Sequence, residues 1–200
     1  MESPAYRLAA TWGIPLEVAE PAFRAEIEYY LEHHVEGRDQ ESLSDLRDRC
    51  ARVLAEQLGE WTPGDARAAM LGAIRFHAFP DAAPALREMR ARGLRLVVAS
   101  NWDCSLPQVL EEAGLADLVD GVVASAVVGF DKPAPELFEA ALEVAGCEAS
   151  DAVHVGDSPS ADVAGAAAVG IRPVLLQRDG TQPGNATATI ATLAALPGLL

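Results

Sequence analysis

Asp151-Ala-Val-His-Val-Gly-Asp-Ser-Pro-Ser-Ala-Asp-Val-Ala-Gly-Ala-Ala-Ala-Val-Gly170 decides how the rest of the chain is read. Val153 to Val155 is a short apolar run with strand character, and it halts at Gly156-Asp157. Ser158-Pro159-Ser160 supplies hydroxyls that can cap a helix and a proline that fits its first turn. Gly170 supplies the stop. Asp157 therefore stands at the carboxyl end of a strand, with Asp162 about one helical turn further on. Two carboxylates gathered beside a helix N-terminus form a hard-oxygen site of the kind Mg²⁺ prefers. An ordinary βα turn with a capping aspartate uses the same residues. The helix itself is nearly all Ala, Gly and Val, so it can lie very close to its neighbours.

Downstream, Ile171 to Leu176 reads as a further strand, Gly-Thr-Gln-Pro-Gly at 180–184 as a loop, and the tail to Leu200 as apolar enough to dock. Upstream, Pro135 to Ala145 is an amphipathic helix through Leu137, Phe138, Ala141, Leu142 and Ala145, ended by Gly146. Gly121 to Ser125 is a short strand and Pro107 to Ala113 a helix before Gly114. Leu94 to Ala99 is a continuous apolar strand, and Pro84 to Arg92 a helix closed by Gly93. Strands alternating with helices of this length predict a parallel sheet with helices on its faces. In such a sheet chemistry collects outside the carboxyl ends of the strands. Those ends are Ser100-Asn101, the Asp131-Lys132-Pro133 run that follows the second strand, and Gly156-Asp157. A hydroxyl, an ammonium and a carboxylate pair on one edge suit phosphoryl transfer. Donors hold the non-bridging oxygens, lysine neutralises charge, and a metal bridges phosphate to protein.

Residues 1 to about 79 have a different character, helical throughout. Phe23, Ile27, Leu31 and Val35 recur every four residues, giving an apolar stripe on a helix that Pro21 starts and Gly37 ends. Leu43, Leu46, Cys50, Val53, Leu54 and Leu58 do the same after Ser42, with Gly59 as the stop. A third helix follows Pro63 with Ala66, Met70 and Ile74, and a weaker one covers Ala5 to Thr11. The organisation expected is a helical unit over 1–79 and an α/β unit over 80–200.

The net charge of −15 argues against a nucleic-acid groove or an anionic membrane surface, since both need clustered Lys and Arg. Cys50, Cys104 and Cys147 are odd in number and widely spaced, which suggests neither a disulfide framework nor a zinc site. With no signal-peptide pattern and no long apolar run, the expected location is cytoplasmic. Substrate identity and oligomeric state are not legible at this level.

Ser100 in Val-Val-Ala-Ser-Asn, Lys132 in Gly-Phe-Asp-Lys-Pro-Ala-Pro-Glu-Leu-Phe, and Gly156-Asp157-Ser-x-x-x-Asp162-x-x-Gly-Ala resemble motifs two, three and four of the haloacid dehalogenase superfamily, in order and spacing. The likeness runs from about Phe79 to Leu176, and the helical first third is similar to the α-helical cap of one branch. The fold it implies is a Rossmann-like parallel sheet with an all-α cap. The resemblance implies an Mg²⁺-dependent phosphatase acting on a small phosphorylated metabolite. Ser100 and Asn101 would bind the transferring group, Lys132 would stabilise the charged intermediate, and Asp157 would bind Mg²⁺. Asp162 would support the metal directly or through water.

The family's nucleophile is the first aspartate of an Asp-x-Asp-like motif on a central strand before the cap. No such stretch precedes the cap here, and the first aspartate is Asp39. The expectation is a sheet lacking its first central strand, and a chain that by itself is inactive and poorly stable. A non-catalytic binding protein or pseudoenzyme and a receiver-like signalling domain are the competing classes. Bland readings fit several other residues. Asp103 and Ser105 precede a helix and read as caps, His154 packs in the sheet, and His33-His34 is a solvated helix end. Trp102, beside Ser100-Asn101, is expected to wall the pocket.

Overall fold

The computed structural model describes residues 2–59, 61–179 and 188–200; the loop expected at 180–184 lies outside them. The chain divides into two compact units, Met1–Phe76 and His77–Leu200.

The first unit is all helix: α1 (Pro4–Trp12), α2 (Leu16–His33), α3 (Gln40–Leu58) and α4 (Pro63–Ala73). Each start has a local cause. Ser3 and Thr62 accept the amides of Tyr6 and Asp65, while Asp39 and Ser42 cap each other reciprocally at the head of α3. Leu8, Phe23, Leu43, Leu46, Leu54 and Met70 form the fully buried centre.

Helix α2 departs from its expected stripe. It begins at Leu16, so Pro21 lies inside its second turn and gives up one backbone hydrogen bond. The buried face is Ala19, Ala22, Phe23 and Glu26, whereas Ile27 and Leu31 are 41% and 62% exposed. Small residues let α2 approach α3 closely along that face, and the larger aliphatics are turned outward. His34, read as solvated, is buried, and its Nδ1 lies 3.0 Å from the carbonyl of Leu31. Its neighbour His33 stacks on Tyr29.

The second unit alternates as expected: α5 (Ala82–Ala91), β1 (Val97–Ser100), α6 (Leu106–Glu112), β2 (Gly121–Ala124), α7 (Ser125–Val128), α8 (Pro135–Ala145) and β3 (Val153–Gly156). A π-helical turn, Pro159–Ala164, then runs into α9 (Gly165–Ala168), followed by β4 (Arg172–Leu176) and β5 (Ala188–Ile190). The sequence reading missed β5, whose three residues are too few to show a period. The tail does dock: Leu196 is buried, and Arg92 Nη1 donates to the Pro197 carbonyl at 2.6 Å. Asp81 fastens the same segment by accepting from Arg178 Nη1, Thr192 Oγ1 and the Leu193 amide.

All strand pairs are parallel, so the fold is α/β with a Rossmann-like sheet and an all-helical first unit. Pairing falls into two groups, β1–β2 and β3–β4–β5. Among the described residues β1 and β3 share no backbone ladder. Val153 and Val155 pack with Ala85, Met89, Val174 and Ile190 on one face of β3. Phe138, Ala166 and Ile171 form a separate cluster around α8 and α9.

Candidate active site

The carboxyl ends of β1 and β3 are joined by side chains of the second unit. Lys132, in the loop before α8, donates from Nζ to the carbonyl of Ala99 at 3.0 Å and to Asp162 Oδ1 at 2.7 Å. Ala99 precedes the last residue of β1, and Asp162 lies in the π-helical turn after β3. One ammonium thus reaches both strand ends. An ammonium has three N–H donors, and two are engaged here.

The loop is held to fit. Asn101 Nδ2 donates to the carbonyl of Lys132 at 3.1 Å, and Asn101 Oδ1 accepts the Lys132 amide at 2.8 Å. The side-chain amide reproduces the pairing of a neighbouring strand residue and fixes the backbone from which the ammonium extends. The side chain of Asn101, one of the residues expected to bind the transferring group, is engaged by the Lys132 backbone. On the same loop Ser125 Oγ accepts the Trp102 amide at 3.1 Å and lies 3.3 Å from the Trp102 carbonyl, fastening the segment after β1 to the end of β2. Trp102, expected to wall a pocket, packs against the cluster of Leu106, Leu110 and Ala124. Asp103 Oδ1 accepts the Ser105 amide at 2.7 Å, closing the turn that leads into α6.

Asp162 is buried and accepts three donors: Lys132 Nζ and His154 Nε2 on Oδ1, and the Ser158 amide at 2.9 Å on Oδ2. Burial alone raises a carboxyl pKa, but hydrogen bonds from His154, Lys132 and the Ser158 amide outweigh it and hold Asp162 well below the usual carboxylate range. It is an anion at any physiological pH. Two glycines make this arrangement possible. A Cβ on Gly156 would overlap the Asp162 carboxylate, and one on Gly165 would lie 2.7 Å from the Phe138 ring and 3.1 Å from Pro133 Cα. The small-residue helix read from the sequence therefore presses α9 against α8 and the Lys132 loop.

Asp162 thus accepts twice on Oδ1 and once on Oδ2, while Asp157 stands on the exposed side of the same turn. Among the described residues no three His, Cys, Asp or Glu side chains gather as a metal cluster. Asp157 is exposed at the end of β3, and Ser100 is half-buried at the end of β1. His154 was read only as a packing residue. Its contact with Asp162 escaped notice because a lone polar residue inside a strand gives no signal of its partner.

An all-parallel pairing with an ammonium anchored across two strand ends and an exposed carboxylate beside it defines an α/β protein whose polar groups gather at the carboxyl edge of its sheet. Residues 5–170 match the haloacid dehalogenase-like hydrolases, and the chain belongs to that family. It is 36% identical over 150 residues to a ribulose-1,5-bisphosphate 5-phosphatase of Halopiger xanaduensis, covering 69% of this chain and 62% of that protein. It is 43% identical over 91 residues to haloacid dehalogenase-like hydrolase domain-containing protein 3 of Bos taurus, covering 46% of this chain and 36% of that protein. The chain thus matches less than two thirds of the length of these curated relatives. Among solved structures, a 2-haloacid dehalogenase of Pseudomonas syringae has a TM-score of 0.65 at 27% identity, covering 98% of this chain and 89% of that one. A HAD phosphatase of Thermococcus onnurineus, at 24% identity and a TM-score of 0.66 over 98% of this chain and 86% of that one, shares the fold.

Proposed function

We propose that the chain is the greater part of a phosphatase for small phosphorylated metabolites, and that its nucleophilic aspartate is carried by a strand seated between β1 and β3. The observation that carries this reading is Lys132, whose ammonium is fastened to Ala99 and Asp162 with a third N–H left to meet a phosphoryl oxygen. An anchored cation needs no reorganisation when charge builds up during transfer, which is where electrostatic catalysis gains most. Ser100, at the end of β1, would donate to a second phosphoryl oxygen. Asn101 would act by holding Lys132.

Asp157 suits a site of one carboxylate, water and a substrate oxygen, an arrangement common for Mg²⁺. Asp162 would support it only indirectly. Bound there, Mg²⁺ would supply neutralisation of the transferring group's charge. Among the described residues β1 and β3 share no ladder, and a strand seated between them would pair with both. Relatives named as phosphatases act on a ribulose bisphosphate, on phosphoserine and on glyceraldehyde 3-phosphate. These names share the class of substrate and not its identity. The family match leaves a receiver-like domain without support.

The test is phosphate release from a panel of phosphomonoesters, with Mg²⁺ or with EDTA. Residues 1–200 alone are compared with the same residues preceded by a strand bearing an aspartate. Turnover is expected only for the longer protein and only with Mg²⁺, falling roughly 10²–10³-fold in Lys132→Met. Normal turnover by residues 1–200 alone would overturn the strand assignment. EDTA-insensitive halide release from a 2-haloacid, without phosphate release, would overturn the phosphatase reading.

A further inference from the structure

His154 sits in the middle of β3, and its neighbours Val153 and Val155 pack into the apolar cluster with Val174 and Ile190. By strand alternation its own side chain faces the other way, where the ring meets Phe138 edge-on at 5.1 Å. Apolar side chains dominate that face, and Phe138 and Ala166 are almost wholly inaccessible. A valine or leucine at this position would pack there without any polar group to satisfy. The imidazole side chain is only 13% exposed, and uncompensated burial of such a group is unfavourable. Its hydrogen bond is to Asp162 Oδ1, at 2.8 Å, the same oxygen that Lys132 Nζ reaches at 2.7 Å. A carboxylate oxygen only accepts, so Nε2 carries the proton and the ring donates.

We propose that His154 is a positioning residue for Lys132, acting through the shared oxygen of Asp162. Three donors fix the Asp162 carboxylate: the Ser158 amide sets Oδ2, and His154 and Lys132 converge on Oδ1 from different elements. With His154 in place Oδ1 has a second side-chain donor, and the ammonium that shares it is held at the ends of β1 and β3. Without it, the carboxylate keeps a single backbone anchor and the lysine follows the carboxylate. The catalytic consequence rests on the phosphatase reading above; the placement of Lys132 does not.

The composition offers a direct probe. Of the 15 Lys and Arg residues, Lys132 is the sole lysine, so amine modification reports on one side chain, which peptide mapping separates from the N-terminal amine. The rate of reductive methylation of Lys132 is measured in the wild-type chain, in His154→Leu and in His154→Gln, alongside each protein's thermal midpoint. Leucine restores apolar packing without a donor, whereas glutamine restores a donor near the Nε2 position. Modification is expected to speed up roughly tenfold in His154→Leu, the order that follows when one charge-assisted contact is loosened. His154→Gln should return to within about twofold of wild type, while His154→Leu, stripped of a charge-assisted donor to a buried carboxylate, also loses some stability. An unchanged rate in His154→Leu would overturn the proposal, as would equal rates in both variants. In the strand-extended protein the same pair should split kcat, low for leucine and recovered for glutamine, with KM unmoved. If no form of that protein turned over phosphate, the phosphatase reading would fail, and the methylation comparison would still decide the role of His154.

Discussion

Glu26 lies on the buried face of α2, 4% exposed, and its carboxyl bonds the thiol of Cys50 on α3. Burial pushes its pKa from 4.5 up to about 7, and the thiol contact pulls only weakly the other way. Desolvation in turn raises the thiol to about 12, the nearby Glu26 adding to the effect. In the unfolded chain the same carboxyl returns to its ordinary range. Because the folded pKa lies above the unfolded one, the native state holds the proton more tightly between the two values, and stability falls as pH rises through that window. A shift from 4.5 to about 7 corresponds to about 3 kcal/mol, at about 1.4 kcal/mol per tenfold change in proton affinity. The Glu26 contribution should therefore be whole below about pH 4.5 and almost entirely lost by pH 8.

Glu26→Gln isolates the effect, because the amide fills nearly the same volume, still accepts from the thiol and cannot ionise. Urea unfolding followed by ellipticity at 222 nm, with tryptophan fluorescence as a second probe, would be run for both proteins at several pH values. Trp12 and Trp61 pack on each other at 5.1 Å within the helical unit, and fluorescence senses its unfolding. The two proteins should agree most closely below pH 4.5, and the variant should be more stable by about 3 kcal/mol at pH 8. A difference that is the same at every pH would refute the reasoning, since it would show that Glu26 does not titrate between those limits.

Two further substitutions probe the second unit. Gly156→Ala places a methyl on the Asp162 carboxylate, so a loss of about 1–3 kcal/mol in chemical denaturation is expected, along with faster amine modification of Lys132. Asp81→Asn removes the charge that Arg178 and Thr192 address; those hydrogen bonds hold the Asp81 carboxyl well below the usual carboxylate range. A loss of about 1–3 kcal/mol is expected at pH 7, shrinking under strongly acidic conditions as the wild-type carboxyl itself takes up a proton, with thermal unfolding across pH as the check.

The strand ends were legible because they combine two independent signals, apolar runs that halt at a glycine or a serine and polar residues placed just beyond. Lys132 and Asp162 could be grouped on that basis before any coordinates, and they do meet. The pairing of the Asn101 amide with the backbone of Lys132 was not legible, because such a contact leaves no mark in local sequence. The α2 stripe failed for a different reason. Ile27 and Leu31 satisfy helical spacing as well as Ala19, Ala22 and Phe23 do, and only the partner helix decides which face it can approach. Glu26 sits on the chosen face, and no periodicity rule would put a carboxylate there.

The split of the sheet gives Lys132 a structural task. β1–β2 and β3–β4–β5 are each internally paired, yet no ladder links β1 to β3 among the described residues. The Lys132 side chain does the joining, its ammonium donating to the Ala99 carbonyl on one side and to Asp162 on the other. Asn101 then returns the loop backbone to the end of β1. An ion pair this enclosed, with side chains 11% and 5% exposed, gains little net stability from its charge alone, because desolvation offsets most of the attraction. What it does fix is geometry. A cation held by a carbonyl and a carboxylate at two strand ends can neither drift toward solvent nor fold back along its own loop. On the phosphatase reading proposed above, that charge would already be in place when a phosphoryl group arrived, so no part of the barrier would go to orienting it.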